Sequence, residues 1–461
     1  MLSFLSFQPV LIIALVLVIF IIIQNYIFVQ LVAYGKLFIS LQILHNMKGL
    51  KIYILLIILL GGCNARQVGE PQLHIIDFVE AVNHVEEAKL SDCVSSLKYI
   101  PIETNDSAML GNIYSYFFAD DDFMYCVSAD LMKCIHIFTR DGKYVKDIGK
   151  KGRGPGEYSA ARTITVIPGT DTLMIASGLK VIFYSLKDGS CLKEIETRDL
   201  FGDSGEVTIT RNGMTSTMRN LASGNMILYN NLLYVPVANN TNFEQTLEVY
   251  DLNFNSVSKI QMGKSSQAPI IPRVFNGIIY IHNDNLNVIN GLVDTIYTLK
   301  NNKLIPHIAF EYGKYPSLGK NPIRDSYKQI KGLEDEMFIP RNNGVYLYET
   351  NTSFFGVVRI PKSISISEQL HPFSHFIYDK HTRKTKLIKH SEDLGQGAFT
   401  NDIDGGMPFW PTKRIDDKLY QFVDAGTFIE MSEKYNSPEM KRIAATLTEE
   451  SNPVVIEATL K

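Results

Sequence analysis

One unit recurs along this chain and leaves few folds open to it. "IFTRDGKYVKDIG", "FYSLKDGSCLKEIE", "VYDLNFNSVSKIQ", "IYTLKNNKLIPHIAF" and "IYDKHTRKTKLIKH" share a plan: an aromatic and β-branched run, a polar turn, and a second run. They start near residues 137, 183, 249, 296 and 377, and three of the four gaps are roughly 45 to 65 residues. Asp141-Gly142, Asp188-Gly189 and Asn301-Asn302 supply turn chemistry. Further short runs, such as "NIYSYFFADDDFMYCVS" and "MILYNNLLYVPVA", fill the space between them. A period of that order, holding four strands at a time, is the period of a propeller blade. One blade cannot bury both its faces, so blades must stack in a ring.

Five hairpins and a degenerate one near Leu419 to Glu430 predict an all-β, six-bladed β-propeller of four-stranded antiparallel blades over residues 93–461. The 23 tyrosines and 25 phenylalanines, against one tryptophan, favour strands over helices. Pro438 to Thr446 is the best amphipathic helix. "SSLKYIPIET" at 95–104 and "NPVVIEATLK" at 452–461 read as strands, and pairing them within one blade would remove two exposed edges.

The propeller is preceded by a hydrophobic signal or anchor region. From Met47 onward come Lys48 and Lys51, the apolar run Ile52 to Leu60, and then Gly61, Gly62 and Cys63. A basic start, an apolar core too short to span a bilayer, and a small-residue cleavage site make a signal peptide over 47–62. "LGGC" resembles the lipobox of bacterial lipoproteins, in which the cysteine sulfur receives a diacylglycerol and becomes the first mature residue. Cys63 is therefore the expected lipid attachment site, and 63–92 the expected linker to the ring. Residues 1–46 have two readings. They follow a misassigned start, or they include a membrane helix over Val10 to Val32. The first is preferred, because a complete signal peptide behind a membrane span is redundant.

Three of the 45 basic residues precede Cys63, which leaves 42 against 48 acidic ones. That balance argues against a nucleic-acid partner. Beyond Cys63 the cysteines are Cys93, Cys126, Cys134 and Cys191. Cys126 and Cys134 flank a hairpin and could pair in an oxidising compartment, although small buried strand residues are the plainer reading.

No HExxH, GxSxG or phosphate-binding glycine loop is present, and no metal or cofactor is expected. His371 and His375 on one strand would lie about 13 Å apart, too far for one ion. "ADDDF" at 119–123 reads as solvated turn residues, and "GRGPG" as a tight inter-blade turn. "NDIDGGMPFWP" at 401–411 carries the candidate ligand site. Trp410 and Phe409 could stack on a sugar or peptide, while Asp402 and Asp404 accept hydrogen bonds. The alternative is that Trp410 plugs the last blade against its neighbour and the aspartates support a turn.

The stretch "IGKKGRGPGEY" at 148–158 resembles the linker of NHL-type propellers, although "SAARTITV" follows it where those linkers usually have a proline. With "VDTIYTL" to "FEYGKYP" at 293–316, "NDIDGGMPFWP", and the closing "EESNPVVIEATLK" at 449–461, the chain more closely resembles the six-bladed β-propeller lipoproteins of Gram-negative bacteria. That resemblance implies a fold and an envelope location, and no reaction. The expected function is a membrane-tethered, non-catalytic protein that binds a glycan, a peptide or an envelope protein. Its tether is the N-terminal lipid, in a membrane expected to be the outer one, with either face open. The alternative is a lyase or hydrolase acting on glycan or peptide at the ring's mouth.

Overall fold

The computed structural model describes residues 73–110, 117–127, 134–196 (except 160, 162, 178 and 179), 206–264 (except 212–213, 220–225 and 239–243), 278–315 (except 290–293), 337, 339 and 347–461 (except 365–370). The expected start region, signal peptide and Cys63 lie outside them. Among the described residues no helix is long and apolar enough to cross a membrane.

Six four-stranded antiparallel sheets form a ring, the predicted six-bladed β-propeller. Blade 1 comprises Phe117–Ala119, Phe123–Cys126, Ile135–Thr139 and Tyr144–Ile148, from the inner strand outward. Blade 2 runs from Thr163–Val166 to Cys191–Glu196, and blade 3 from Ile227–Tyr229 to Ser256–Lys264. Blade 4 runs from Ile278–His282 to Lys303–Glu311, and blade 5 from Leu347–Glu349 to Thr385–Ile388. An extra hairpin, Glu206–Arg211 with Met214–Arg219, stands between blades 2 and 3.

The turns behave as their residues require. Asn230-Asn231, Asn283-Asp284 and Asn301-Asn302 all take positive φ, the two-residue hairpin loop that matches strand twist. Gly142 has φ +87°, and a Cβ there would meet the Pro101 carbonyl oxygen at 2.2 Å. In "GRGPGEY", Gly156 has φ +67°, and the Tyr158 N–H and carbonyl bond back to Lys150 and Gly152, so the stretch is the tight inter-blade turn expected.

Alternating side chains leave both faces of each blade apolar, and the core lies in the seams. Ile137, Ile148, Ile175 and Tyr184 fill the seam between blades 1 and 2. Phe354, Phe376, Ile296 and Ile308 fill that between blades 4 and 5. Phe117, Met124, Tyr420 and Val455 close blade 6 onto blade 1.

Both chain ends build blade 6. Its order is Lys413–Ile415, Lys418–Val423, Val454–Leu460, Val94–Pro101. The last two strands pair antiparallel, Ile456 opposite Tyr99, which is the closure anticipated from the two terminal runs. The supposed hairpin near Leu419 to Glu430 is different. Its strand stops at Val423, and Asp424 caps a helix over Ala425–Lys434 by accepting from the Thr427 N–H. Phe428 and Met431 fall on that helix's buried face, a three-residue spacing that a strand would split. A second helix, Pro438–Ala444, starts at the Ser437 cap, where one was predicted.

Residues 73–92, read as the end of a linker, wrap the ring instead. His74–Asp77 adds a parallel fifth strand to blade 4, Val85–Glu86 does so for blade 5, and Ala88–Lys89 pairs with Phe399–Thr400. They cover outer edges that would otherwise be open to other chains.

Candidate functional site

The flagged loop connects blade 5 to blade 6 and is pinned at its base. Phe399 and Phe409 exchange backbone hydrogen bonds of 2.9 and 3.0 Å. Asp402 reaches across to the N-terminal segment, accepting from the Ser91 N–H at 2.9 Å and the Ser91 hydroxyl at 2.6 Å. Burial pulls its pKa up, but the Ser91 bonds together outweigh it and lower the pKa. Asp404 accepts from Asn401 Nδ2 (2.8 Å), the Gly406 N–H (3.1 Å), Tyr99 (3.2 Å) and the Ser437 hydroxyl. Both carboxylates therefore hold the loop's shape.

Trp410 is 5% exposed. Its ring stacks on Phe399 at 5.6 Å and meets His375 and Phe355 edge-on at 4.2 and 5.7 Å. Phe409 is buried beside it in the same seam between blades 5 and 6. The indole is occupied in packing, with no open face for a ring to stack on.

What the loop leaves open is a cleft of about 390 Å³. Thr400, Asn401, Gly405, Gly406 and Pro408 form one wall. Lys389, His390 and Ser391 from the end of blade 5 form the other, with Tyr435 and Glu87 at the rim. Glu87 and Lys389 pair with each other at 3.4 Å, so the rim carries no net charge. Asp393 fixes the Tyr435 ring by accepting from its hydroxyl and from Lys434. The size fits a small ligand, and the walls mix apolar surface with hydrogen-bonding groups such as Asn401, His390 and Ser391.

A second polar region lies where blades 4, 5 and 6 meet. Glu349, 1% exposed, ends the inner strand of blade 5. His307 Nε2 lies 2.9 and 3.1 Å from its two carboxylate oxygens, Lys380 Nζ 2.9 Å away, and the Tyr280 hydroxyl donates at 2.8 Å. Arg414 of blade 6 donates to the Glu349 carbonyl and to Asp416 O, and its Nη2 lies 3.4 Å from His282 Nδ1. Burial alone would raise the Glu349 pKa, but His307 and Lys380 overcome it and hold it at about 2. Burial drives His282 down to about 4 against the pull of Glu349, and His74 down to about 4 with help from Lys380. One carboxylate, one ammonium and one guanidinium thus tie three blades together. Glu349 itself is almost wholly buried at the centre of the cluster. No spacing in the sequence could have found it, because its members come from residues 280 to 414.

The remaining flagged residues scatter. His371 stacks on His390 at 3.8 Å, His375 is buried with Nδ1 accepting from the Gly397 N–H, and His381 sits on an exposed turn. Asp120 accepts from the N–H groups of Asp122 and Phe123 and from Tyr125, a turn role as read. Cys126 is buried in its strand and is not bonded to Cys134.

A ring of six blades, closed by strands from its two ends and carrying a cleft at a blade junction, places the chain among the β-propellers. It belongs to the family described as Domain of unknown function DUF4934, which it matches over residues 73–459. A solved Bacteroides fragilis protein described as exported superposes with TM-score 0.54 at 16% identity, covering 85% of this chain and 100% of that one. A DUF4221-family member from Bacteroides vulgatus is similar at TM-score 0.39 and 9% identity, covering 82% and 98%. The likeness at 0.54 supports the fold. No curated protein matches the chain.

Proposed function

We propose that this chain is a non-catalytic binding protein of the bacterial cell envelope, tethered through a lipid on Cys63, that holds a small neutral or zwitterionic ligand in the cleft beside residues 400–408. A glycan or a short peptide fits this description. The observation that carries the reading is the cleft itself, about 390 Å³ and bounded by a loop that Asp402 and Asp404 hold in place from outside it. A wall fixed before a ligand arrives avoids the ordering cost that weakens binding. The self-paired Glu87 and Lys389 favour ligands without net charge. The signal-peptide pattern ending in "LGGC" supports the tether, because lipoprotein cysteines carry enough acyl chain for stable attachment.

The test screens the purified, detergent-solubilised chain against envelope glycans and short peptides, beside Thr400→Trp. Thr400 is exposed on the cleft wall, so the indole fills the space without entering the core. Wild type binds a member of the panel, and the variant loses at least tenfold in affinity with its melting temperature unchanged. Equal binding by both proteins would refute the cleft assignment.

A further inference from the structure

Away from the cleft, blade 1 brings three metal-ligating side chains together. Cys134 and His136 are two residues apart at the start of the third strand, so their side chains leave the same face. Asp147 lies directly opposite His136 on the outer strand. Cys134 Sγ is 3.7 Å from each ring nitrogen of His136, and His136 Nδ1 is 2.7 Å from Asp147 Oδ1. All three ligand atoms fall within 4.8 Å of one another.

We propose that Cys134, His136 and Asp147 bind one divalent transition-metal ion of the zinc type. A tetrahedral ion with Zn–S of about 2.3 Å and Zn–N of about 2.0–2.1 Å separates sulfur from nitrogen by roughly 3.5 Å. The thiol–imidazole gap already has nearly that length. The His136–Asp147 contact has to open from its hydrogen-bonded 2.7 Å to roughly 3.3 Å, a small motion for a carboxylate that is 35% exposed. A thiolate, an imidazole and a carboxylate together select zinc-like ions over magnesium or calcium, which take oxygen donors.

Two neighbours complete the arrangement. The Tyr144 phenol hydrogen-bonds Asp147 and so orients it, as outer-shell groups do for metal ligands. Tyr158, from the inter-blade turn, is fully buried, and its hydroxyl has no hydrogen-bond partner among the described residues. Burial, and then the nearby charges of Cys134, Tyr184 and Asp147, push its ionisation up. A water in the fourth coordination position would supply the partner this hydroxyl lacks. The ion would staple the third and outer strands of blade 1, a structural role independent of the cleft.

Cobalt(II) titration of the full chain in detergent tests this. The expected result is one ion per chain, with thiolate-to-cobalt charge-transfer absorption that zinc displaces. Cys134→Ser abolishes the absorption, Asp147→Asn weakens zinc binding by at least ~100-fold, and Tyr144→Phe weakens it by about tenfold. Cys191→Ser, at an exposed cysteine, leaves the spectrum intact. Absence of the absorption in folded wild type, or its persistence in Cys134→Ser, overturns the proposal. If Cys134→Ser does not fold, alkylation of wild type decides: zinc protects Cys134 from iodoacetamide, and equal labelling with and without zinc overturns the site.

Discussion

The Glu349 cluster and the 400–408 loop are both polar and both join neighbouring blades, yet they solve opposite problems. Around Glu349, charged groups from three blades converge on one buried residue and tie the blades together. Around the loop, Asp402 and Asp404 bond backbone amides, a phenol and serine hydroxyls behind the wall, and the wall's front stays open. A buried ion pair gives little net stability over an apolar packing, but removing one partner is costly because the other is stranded. Burial and charge perturbation around Glu349 therefore mark a clamp, and the cleft lies elsewhere. Perturbed titration is a guide to function only where the groups can be reached.

The contrast can be broken by substitution. Glu349→Ala strands Lys380 and His307 and should cost about 3–5 kcal/mol in denaturant unfolding; a loss below ~1 kcal/mol would mean the cluster is already hydrated. Trp410→Ala opens a cavity in the seam between blades 5 and 6 and should cost about 3 kcal/mol. Preserved stability together with lost ligand binding would restore the stacking role that its burial argues against.

Within the Glu349 region, acid should separate the histidines from the carboxylate. His74 and His282 titrate near 4 in the fold against an ordinary 6.5, so the unfolded chain takes up protons first and stability falls as pH drops from about 6.5 to 4. Glu349 titrates near 2 against 4.5, so its contribution is intact above about 4.5 and is lost as pH falls toward 2. Each shift corresponds to roughly 3 kcal/mol for the well-buried His282 and Glu349. Urea unfolding at stepped pH should show both windows in wild type, and only the upper one in Glu349→Ala. A lower window that survives in Glu349→Ala assigns it to other carboxylates.

Asp404→Ala removes the acceptor for four donors, one of them the Ser437 cap, and should cost about 2 kcal/mol while loosening the cleft wall. Gly405→Ala is the mildest change. Its φ of +72° disfavours a side chain by about 1 kcal/mol, but a Cβ there meets nothing within 4 Å, so ligand binding should persist.

The ring was legible because its signals are local. Turn residues such as Asn301-Asn302 and Asp141-Gly142 sit where the backbone needs them, and the strand period repeats between them. Closure was legible from two terminal runs that each needed a partner. The edge strands at His74–Asp77 and Val85–Glu86 were not, since parallel pairing of two to four residues leaves no pattern. Asp424 reads equally well as a turn residue or a cap, which hid the helix behind it. At the site, the loop 401–411 was found with two readings, a displayed ring or a plug over an aspartate-supported turn. Tryptophan between prolines fits either, and the packing of His375, Phe355 and Phe399 around it selects the plug. Tyr435 and Ser391, on the cleft's other sides, gave no signal, because single polar residues far apart in the chain carry none.

The central claim is that the open wall, not the charged seam, receives the ligand. A crystal structure of the chain with a bound member of the glycan and peptide panel tests it most directly. The account predicts the ligand between Thr400, Gly406 and Tyr435, with the Glu349 cluster unchanged. A ligand seated against Glu349, Lys380 and Arg414 would contradict it.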